Sequence, residues 1–168
     1  MNRKTTHFTP TLALDIQYLV PFKQVSIAQV RRWVEATLKQ VAKNYNLAFQ
    51  HFELTIRFST IEEIQALNAA YRQQNKPTNV LTFAYGINPD NQTVTADVIL
   101  CAAILQDEAK AQSKGLVEHT AHLCVHGVLH ALGFEHKNTS DANEMENLEI
   151  EILKQFEIAN PYLIKDTD

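Results

Sequence analysis

Hydrophobic and polar positions along the chain repeat with two different periods, and each period predicts an element. Thr11 to Tyr18 alternates loosely and reads as a strand. Ser26 to about Asn44 reads as a helix, with Ile27, Val30, Val34, Leu38 and Val41 on one stripe and Ser26 and Gln29 at capping-box spacing. Phe52 to Phe58 sets Phe52, Leu54, Ile56 and Phe58 against Glu53, Thr55 and Arg57, which predicts a half-buried strand with Arg57 on its other face. Ser59 or Thr60 then caps a helix to about Arg72, with Glu62 or Glu63 at the third helical position. Lys76-Pro77-Thr78-Asn79 is a turn, Val80 to Tyr85 a strand, and Gly86 to Asn91 a loop. Thr93 to Cys101 is a further strand, containing Asp97. Helices follow over about Ala103 to Lys114, Leu116 to Leu132 and Ser140 to Phe156, with Gly115 and Gly133 marking the breaks.

Strands concentrated in the first half and helices in the second predict a single α+β domain over residues 1–168. The expected sheet is small and mixed, of about four strands, packed with helices including a central histidine-bearing one in a zincin-like arrangement. A length of 168 residues suits one domain, and there is no repeat or low-complexity tract to suggest otherwise. With 45% hydrophobic and 20% charged residues, a core can form without disulfides. Cys101 and Cys124 form no disulfide framework. The longest apolar run, Val98 to Leu105, is far too short to span a membrane. Met1-Asn2-Arg3-Lys4 resembles the charged start of a signal peptide, but no apolar segment follows, so the expectation is a cytoplasmic protein.

The net charge of −4 hides an asymmetry. Residues 1–86 hold ten Lys/Arg against five Asp/Glu, a balance of +5, and residues 87–168 hold five against fourteen, a balance of −9. A basic first half can meet a polyanion although the whole chain is acidic; two ordinary solvated faces would give the same numbers.

Five of the seven histidines lie between His119 and His136. His126 and His130 are four apart, which on a helix puts both rings on one face, one turn from each other. Gly133 can adopt the left-handed conformation that ends a helix, so the chain can fold back and bring His136 to the same ion. Three neutral nitrogens leave one tetrahedral position open, as in catalytic zinc sites, where the metal acts as a Lewis acid and lowers the pKa of water. The spacing matches the H-x-x-x-H-x-x-G-x-x-H skeleton of metzincin proteases. Those enzymes carry a glutamate base directly after the first histidine, and here Gly127 occupies that place. Peptide hydrolysis by that route therefore lacks its base, and Gly127 is expected to leave room beside the metal for a bulky group such as a phosphate. His119 and His122 fall on nearly the same face as ligands, outer partners or packed rings. Cys124 points about 200° round the helix from His126, toward the core.

The run from His126 to His136 resembles the H-G-x-L-H-x-x-G-[YF]-[DE]-H-like signature of the YbeY family, bacterial endoribonucleases of rRNA maturation. Thr55-Ile56-Arg57 resembles that family's arginine-bearing strand. Leu67-Asn68, Tyr71-Arg72 and Lys76 to Phe83 resemble its central motif, Ala96-Asp97-Val98-Ile99 its Gly-Asp strand, and Glu144-Met145-Glu146 its later acidic segment. The likeness covers roughly residues 50 to 150, with Ala96 for the usual Gly and Phe134-Glu135 for the commoner Tyr-Asp. It implies one zinc per chain on His126, His130 and His136, and an Arg57 that matters for RNA cleavage. It also implies single-strand-specific cleavage in maturation of the 16S rRNA 3′ end and in ribosome quality control, with rRNA, the small ribosomal subunit and ribosome-associated proteins as partners.

The planar guanidinium of Arg57 suits phosphate oxygens, although a salt bridge with Glu53 or Glu63 would account for it equally. Arg72, Lys76 and Asn79 are candidates for the RNA path, and Asp97 and Glu135 for orienting a histidine ring. The expected arrangement puts the histidines in a cleft with Arg57 on its wall. Imidazole ligands suit zinc, and also nickel, copper and iron. Two other functions fit parts of the pattern. One is a metal-dependent hydrolase of a non-RNA substrate. The other is a non-catalytic zinc-stabilised ribosome or RNA-binding assembly factor, which a fourth metal ligand from Asp97, Glu135 or His122 would favour.

Overall fold

The computed structural model describes residues 8–163; the charged Met1–Lys4 segment lies outside the described residues. In chain order the elements are β1 (Thr11–Tyr18), α1 (Ile27–Asn44), β2 (His51–Ser59), α2 (Ile61–Arg72), β3 (Val80–Asn88), β4 (Thr93–Cys101), α3 (Ala102–Ala111), α4 (Leu116–Ala131) and α5 (Thr139–Lys154). The sheet order is β1-β2-β4-β3. β1, β2 and β4 run parallel, and β3 closes the edge antiparallel to β4. The architecture is the single mixed-sheet α+β domain expected, and among the described residues no helix is long and apolar enough to cross a membrane.

Alternation along β2 divides the molecule. Phe52, Leu54, Ile56 and Phe58 are fully buried and meet Ala96, Val98 and Leu100 of β4 in the main core. Val34 and Leu38 of α1, Val125, Val128 and Leu129 of α4, and Ile152 of α5 cover that face. On the other face, a smaller cluster joins Ile64 of α2 to Leu81 of β3 and to Ile99 and Cys101 of β4. The second half of β4 is thus apolar on both sides, which is why Val98 to Cys101 reads as a continuous run rather than an alternation. The run Val98 to Leu105 is the end of this strand joined directly to α3.

The helix starts follow the sequence closely. Ser26 caps α1 in a complete capping box with Gln29. At α2 the cap is Thr60, whose hydroxyl accepts from the Glu63 amide. The Glu63 carboxylate does not return to the cap; it accepts from Arg57 instead. β3 runs beyond Tyr85 to Asn88 through an irregularity between Ala84 and Ile87, where Gly86 takes φ +78°. α3 stops at Ala111, and Ser113 turns the chain with φ 51°.

Candidate metal centre

The end of α4 builds the site. Gly133 adopts φ +100°, its amide donates to the His130 carbonyl, and the Phe134 amide reaches back to Leu129 at 3.0 Å. These are the two bonds of a Schellman turn, which requires a residue tolerant of positive φ at that position. The turn does two things at once. It places the Phe134 carbonyl 2.8 Å from Nδ1 of His130, and it redirects the chain so that His136 returns to the helix. One nitrogen each from His126, His130 and His136 then lies within 4.8 Å of the others.

The second ring is held from α5. Nδ1 of His126 is 2.5 Å from Oε1 of Glu149, a carboxylate with no solvent exposure. Oε2 of Glu149 accepts from the Tyr162 hydroxyl and lies 3.3 Å from Nε2 of His122. Burial pushes the Glu149 carboxyl up, but hydrogen bonds from His122, His126 and Tyr162 outweigh it and bring it to about 2. Burial also lowers the His130 pKa, helped by the neighbouring His126, and so favours the neutral imidazole that a metal requires.

These contacts fix the tautomers. A carbonyl and a carboxylate only accept, so Nδ1 of both rings carries hydrogen and Nε2 of the neutral rings presents a lone pair. The two Nε2 atoms face each other at 3.1 Å. Two lone pairs at that distance repel unless a cation or proton lies between them. Two nitrogens bound to one tetrahedral zinc at ~2.0–2.1 Å are about 3.3 Å apart. The donor set therefore fits a metal ion bound through Nε2, with each Nδ1 tied to a protein acceptor, the arrangement usual for metal-ligating histidines.

None of the three residues suggested as a fourth ligand joins the group. His122 turns to Glu149 and Tyr162, Asp97 accepts from the Tyr85 hydroxyl at 2.7 Å, and Glu135 pairs with Lys137 at 2.6 Å. His119 is buried against Glu108 at 3.2 Å. Among the described residues the ligand set is these three histidines, which leaves coordination room for a reactant, unlike closed structural zinc sites.

Gly127 does not open space beside the metal. One helical position round from His126, it packs under the sheet, and a Cβ there would lie 2.6 Å from Cγ1 of the buried Val98. Its carbonyl accepts from the Thr82 hydroxyl at 3.1 Å. A side chain at this position is excluded by close approach to β4, so a glutamate could not act there either. Gly127→Ala should destabilise the protein by ~1–3 kcal/mol through overpacking, measured as a lower denaturation midpoint. Unchanged stability would show that the helix can move off the sheet at no cost.

The other sequence candidates are placed elsewhere. Arg57 is not on the wall of the histidine site, because alternation along β2 directs it to the opposite face of the sheet from α4. There its Nε donates to Gln17 at 2.8 Å, and its Nη1 makes the ion pair with Glu63, also at 2.8 Å. Asp97 is on that same outer face, between Thr55 and Phe83 in the strand register, and so does not hold a histidine; the carboxylate that does is Glu149. Arg72 donates to the Thr82 carbonyl at 2.6 Å and lies 5.4 Å from the Phe83 ring centre. Lys76 is exposed. The Asn79 amide is taken by the Glu108 carboxylate, so it anchors the β3 entry.

Fold and site together define an α+β protein with an open three-histidine centre on a helix and the turn that ends it. A family model described as Endoribonuclease YbeY matches residues 16–157. Among curated relatives, the Endoribonuclease YbeY of Bordetella avium is 42% identical over 157 residues, covering 94% of this chain and 97% of the relative. The Endoribonuclease YbeY of Colwellia psychrerythraea is 43% identical over 153 residues, covering 89% and 96%. The chain belongs to the YbeY endoribonuclease family. Its fold is also similar to the solution structure of TM1509 from Thermotoga maritima, with TM-score 0.56 and 20% identity over 92% of this chain and 97% of that one.

Proposed function

We propose that this protein is a zinc-dependent endoribonuclease that cuts single-stranded RNA, acting in the cytoplasm on rRNA at the 16S 3′ end and in ribosome quality control. Its partners in this reading are the small ribosomal subunit and ribosome-associated proteins. Family membership supports the ribonuclease class. The metal dependence rests on one observation: two Nε2 atoms 3.1 Å apart, each on a ring whose Nδ1 is already tied to a protein acceptor.

His126, His130 and His136 would hold the ion, which when bound supplies Lewis-acid polarisation of a phosphoryl oxygen and a lowered water pKa. Glu149 fixes the His126 ring and offsets positive charge from a fully buried position. The Phe134 carbonyl does the same steric work for His130 without a charge. Glu135 is a weak base, since its hydrogen bond with Lys137 lowers its pKa. Arg57 and Arg72 act on the phosphate backbone rather than on the reacting phosphate, because β2 directs Arg57 to the other side of the sheet and α2, which carries Arg72, packs there; Lys76, exposed in the turn before β3, acts on the backbone as well.

The test is cleavage of a defined RNA carrying one single-stranded and one duplex segment, with products mapped to the nucleotide. Cuts confined to the single-stranded segment, and absent from an Arg57→Ala preparation made in parallel, are expected. Equal cutting by both preparations would show that Arg57 has no part in the cleavage observed.

A further inference from the structure

The outer face of the sheet carries a groove of about 430 Å³ that α2 covers only in part. Two rows of side chains cross its floor. Register places Gln17 beside Arg57 and Arg57 beside Ile99, and in the next row Thr55 beside Asp97 and Asp97 beside Phe83. Tyr71 from α2 and Tyr85 from β3 stand on its sides. Both tyrosines are unusually open for aromatic rings, 68% and 63% exposed. They are nonetheless oriented. Tyr71 packs edge-on to Phe83 at 5.5 Å, and the Tyr85 hydroxyl donates to Asp97. Arg72 lies against Phe83, and Arg57 is fixed between Gln17 and Glu63.

Exposed, oriented rings flanked by guanidinium groups on an open sheet face are what unpaired bases need. Every base has a π-face that stacks on an aromatic ring, and the backbone between bases meets the cations. A duplex cannot use such a surface, since its bases are already stacked and paired. The groove and the histidine centre are connected through β3. Gly127, next to His126, packs beneath Val80 and Thr82 of β3, while Leu81 and Phe83 of the same strand face α2 on the outer side. β3 is the edge strand, so the groove and the histidine helix are on the two sides of a single strand.

We propose that this face is a stacking platform for the bases of single-stranded RNA, with Tyr71 and Tyr85 as positioning residues and Arg57 and Arg72 as backbone anchors. The proposal rests on the ribonuclease reading above and adds the surface that holds the substrate. It gives Arg57 a role consistent with its place on the face of the sheet opposite the histidine helix.

The experiment is equilibrium binding of a fluorescein-labelled single-stranded RNA to the full-length protein as purified, read by anisotropy at one fixed salt concentration. Denaturing gels verify that the RNA remains intact in each sample. Tyr71→Ala and Tyr85→Ala should each weaken binding roughly 5- to 100-fold. Tyr71→Phe keeps the ring and its contact with Phe83 and should bind within about twofold of wild type, while the thermal melt of all variants stays near that of wild type. The affinity for duplex RNA of the same sequence should not change. If wild type binds the single strand and the alanine variants bind equally well, the platform is wrong although the ribonuclease reading stands. If Tyr71→Phe loses as much as Tyr71→Ala, the hydroxyl matters rather than the ring, which also overturns stacking. If wild type binds no single-stranded RNA at all, the ribonuclease reading fails and the platform with it.

Discussion

The His130→Ala protein is expected to cut RNA more than ~100-fold more slowly than wild type, because removing a ligand costs more than the ~10- to 100-fold typical of outer partners. His130 contributes one of the two facing Nε2 atoms and sits between His126 and His136, with ring centres 4.6 and 5.0 Å away. Without it the remaining pair cannot enclose an ion. The same substitution removes an imidazole held to the Phe134 carbonyl, but that carbonyl lies in the turn beyond α4 and water can replace the ring as its donor. Loss of activity should therefore not be loss of fold. A metal that binds only the folded protein raises its melting temperature by mass action. Adding zinc to metal-depleted wild type should raise the melt, and adding it to His130→Ala should leave the melt where it was. An equal rise in both would place the bound metal somewhere other than the three histidines.

Glu149→Gln should produce the second largest effect, a ~10- to 100-fold weaker hold on the metal. Three donors converge on the two Glu149 oxygens: Nδ1 of His126, Nε2 of His122 and the Tyr162 hydroxyl. An amide offers one acceptor oxygen and one donating nitrogen, so it cannot satisfy all three. If its oxygen stays on His126, its NH2 group faces His122 and Tyr162. If it turns over, His126 loses the acceptor that fixes its tautomer. The lost negative charge also makes the ring a poorer electron donor. Competition with a coloured chelator gives the affinity directly, and Tyr162→Phe should give a smaller loss because it removes only one of the three bonds. Wild-type affinity in Glu149→Gln would mean that packing alone orients His126.

The two residues differ in how visible they are in the sequence. His126, His130 and His136 are legible because helical spacing and the Gly133 turn are local rules, and Gly133 does take the conformation that its position requires. Glu149 is 23 residues from His126, and no local rule connects them. The one available signal is its place on the apolar stripe of α5, among Met145, Leu148, Ile152 and Leu153, where a carboxylate must have a buried partner. Glu144 and Glu146, which the acidic motif singles out, are not the glutamates that reach the histidines.

Strand alternation was a better guide to placement than likeness of motif. Phe58 and Ile56 point into the core, so the pleat turns Arg57 away from α4 and off the histidine wall, whatever the likeness of motif implies. The same alternation sends Asp97 outward between the inward-facing Ala96 and Val98. Gly127 shows the corresponding limit for a helix. A residue one position from a ligand is turned about 100° from it, here into the sheet, and its packing partners on β4 are invisible until the fold is known.

The most direct measurement of the central claim is metal content and RNA cleavage followed together on wild-type protein through one cycle of chelation and zinc addition. One zinc per chain, cleavage that disappears as the metal is removed and returns in proportion to the zinc restored, is the predicted result. Cleavage that continues at full rate in metal-free protein would contradict the account, because the three-histidine centre would then have no part in the reaction.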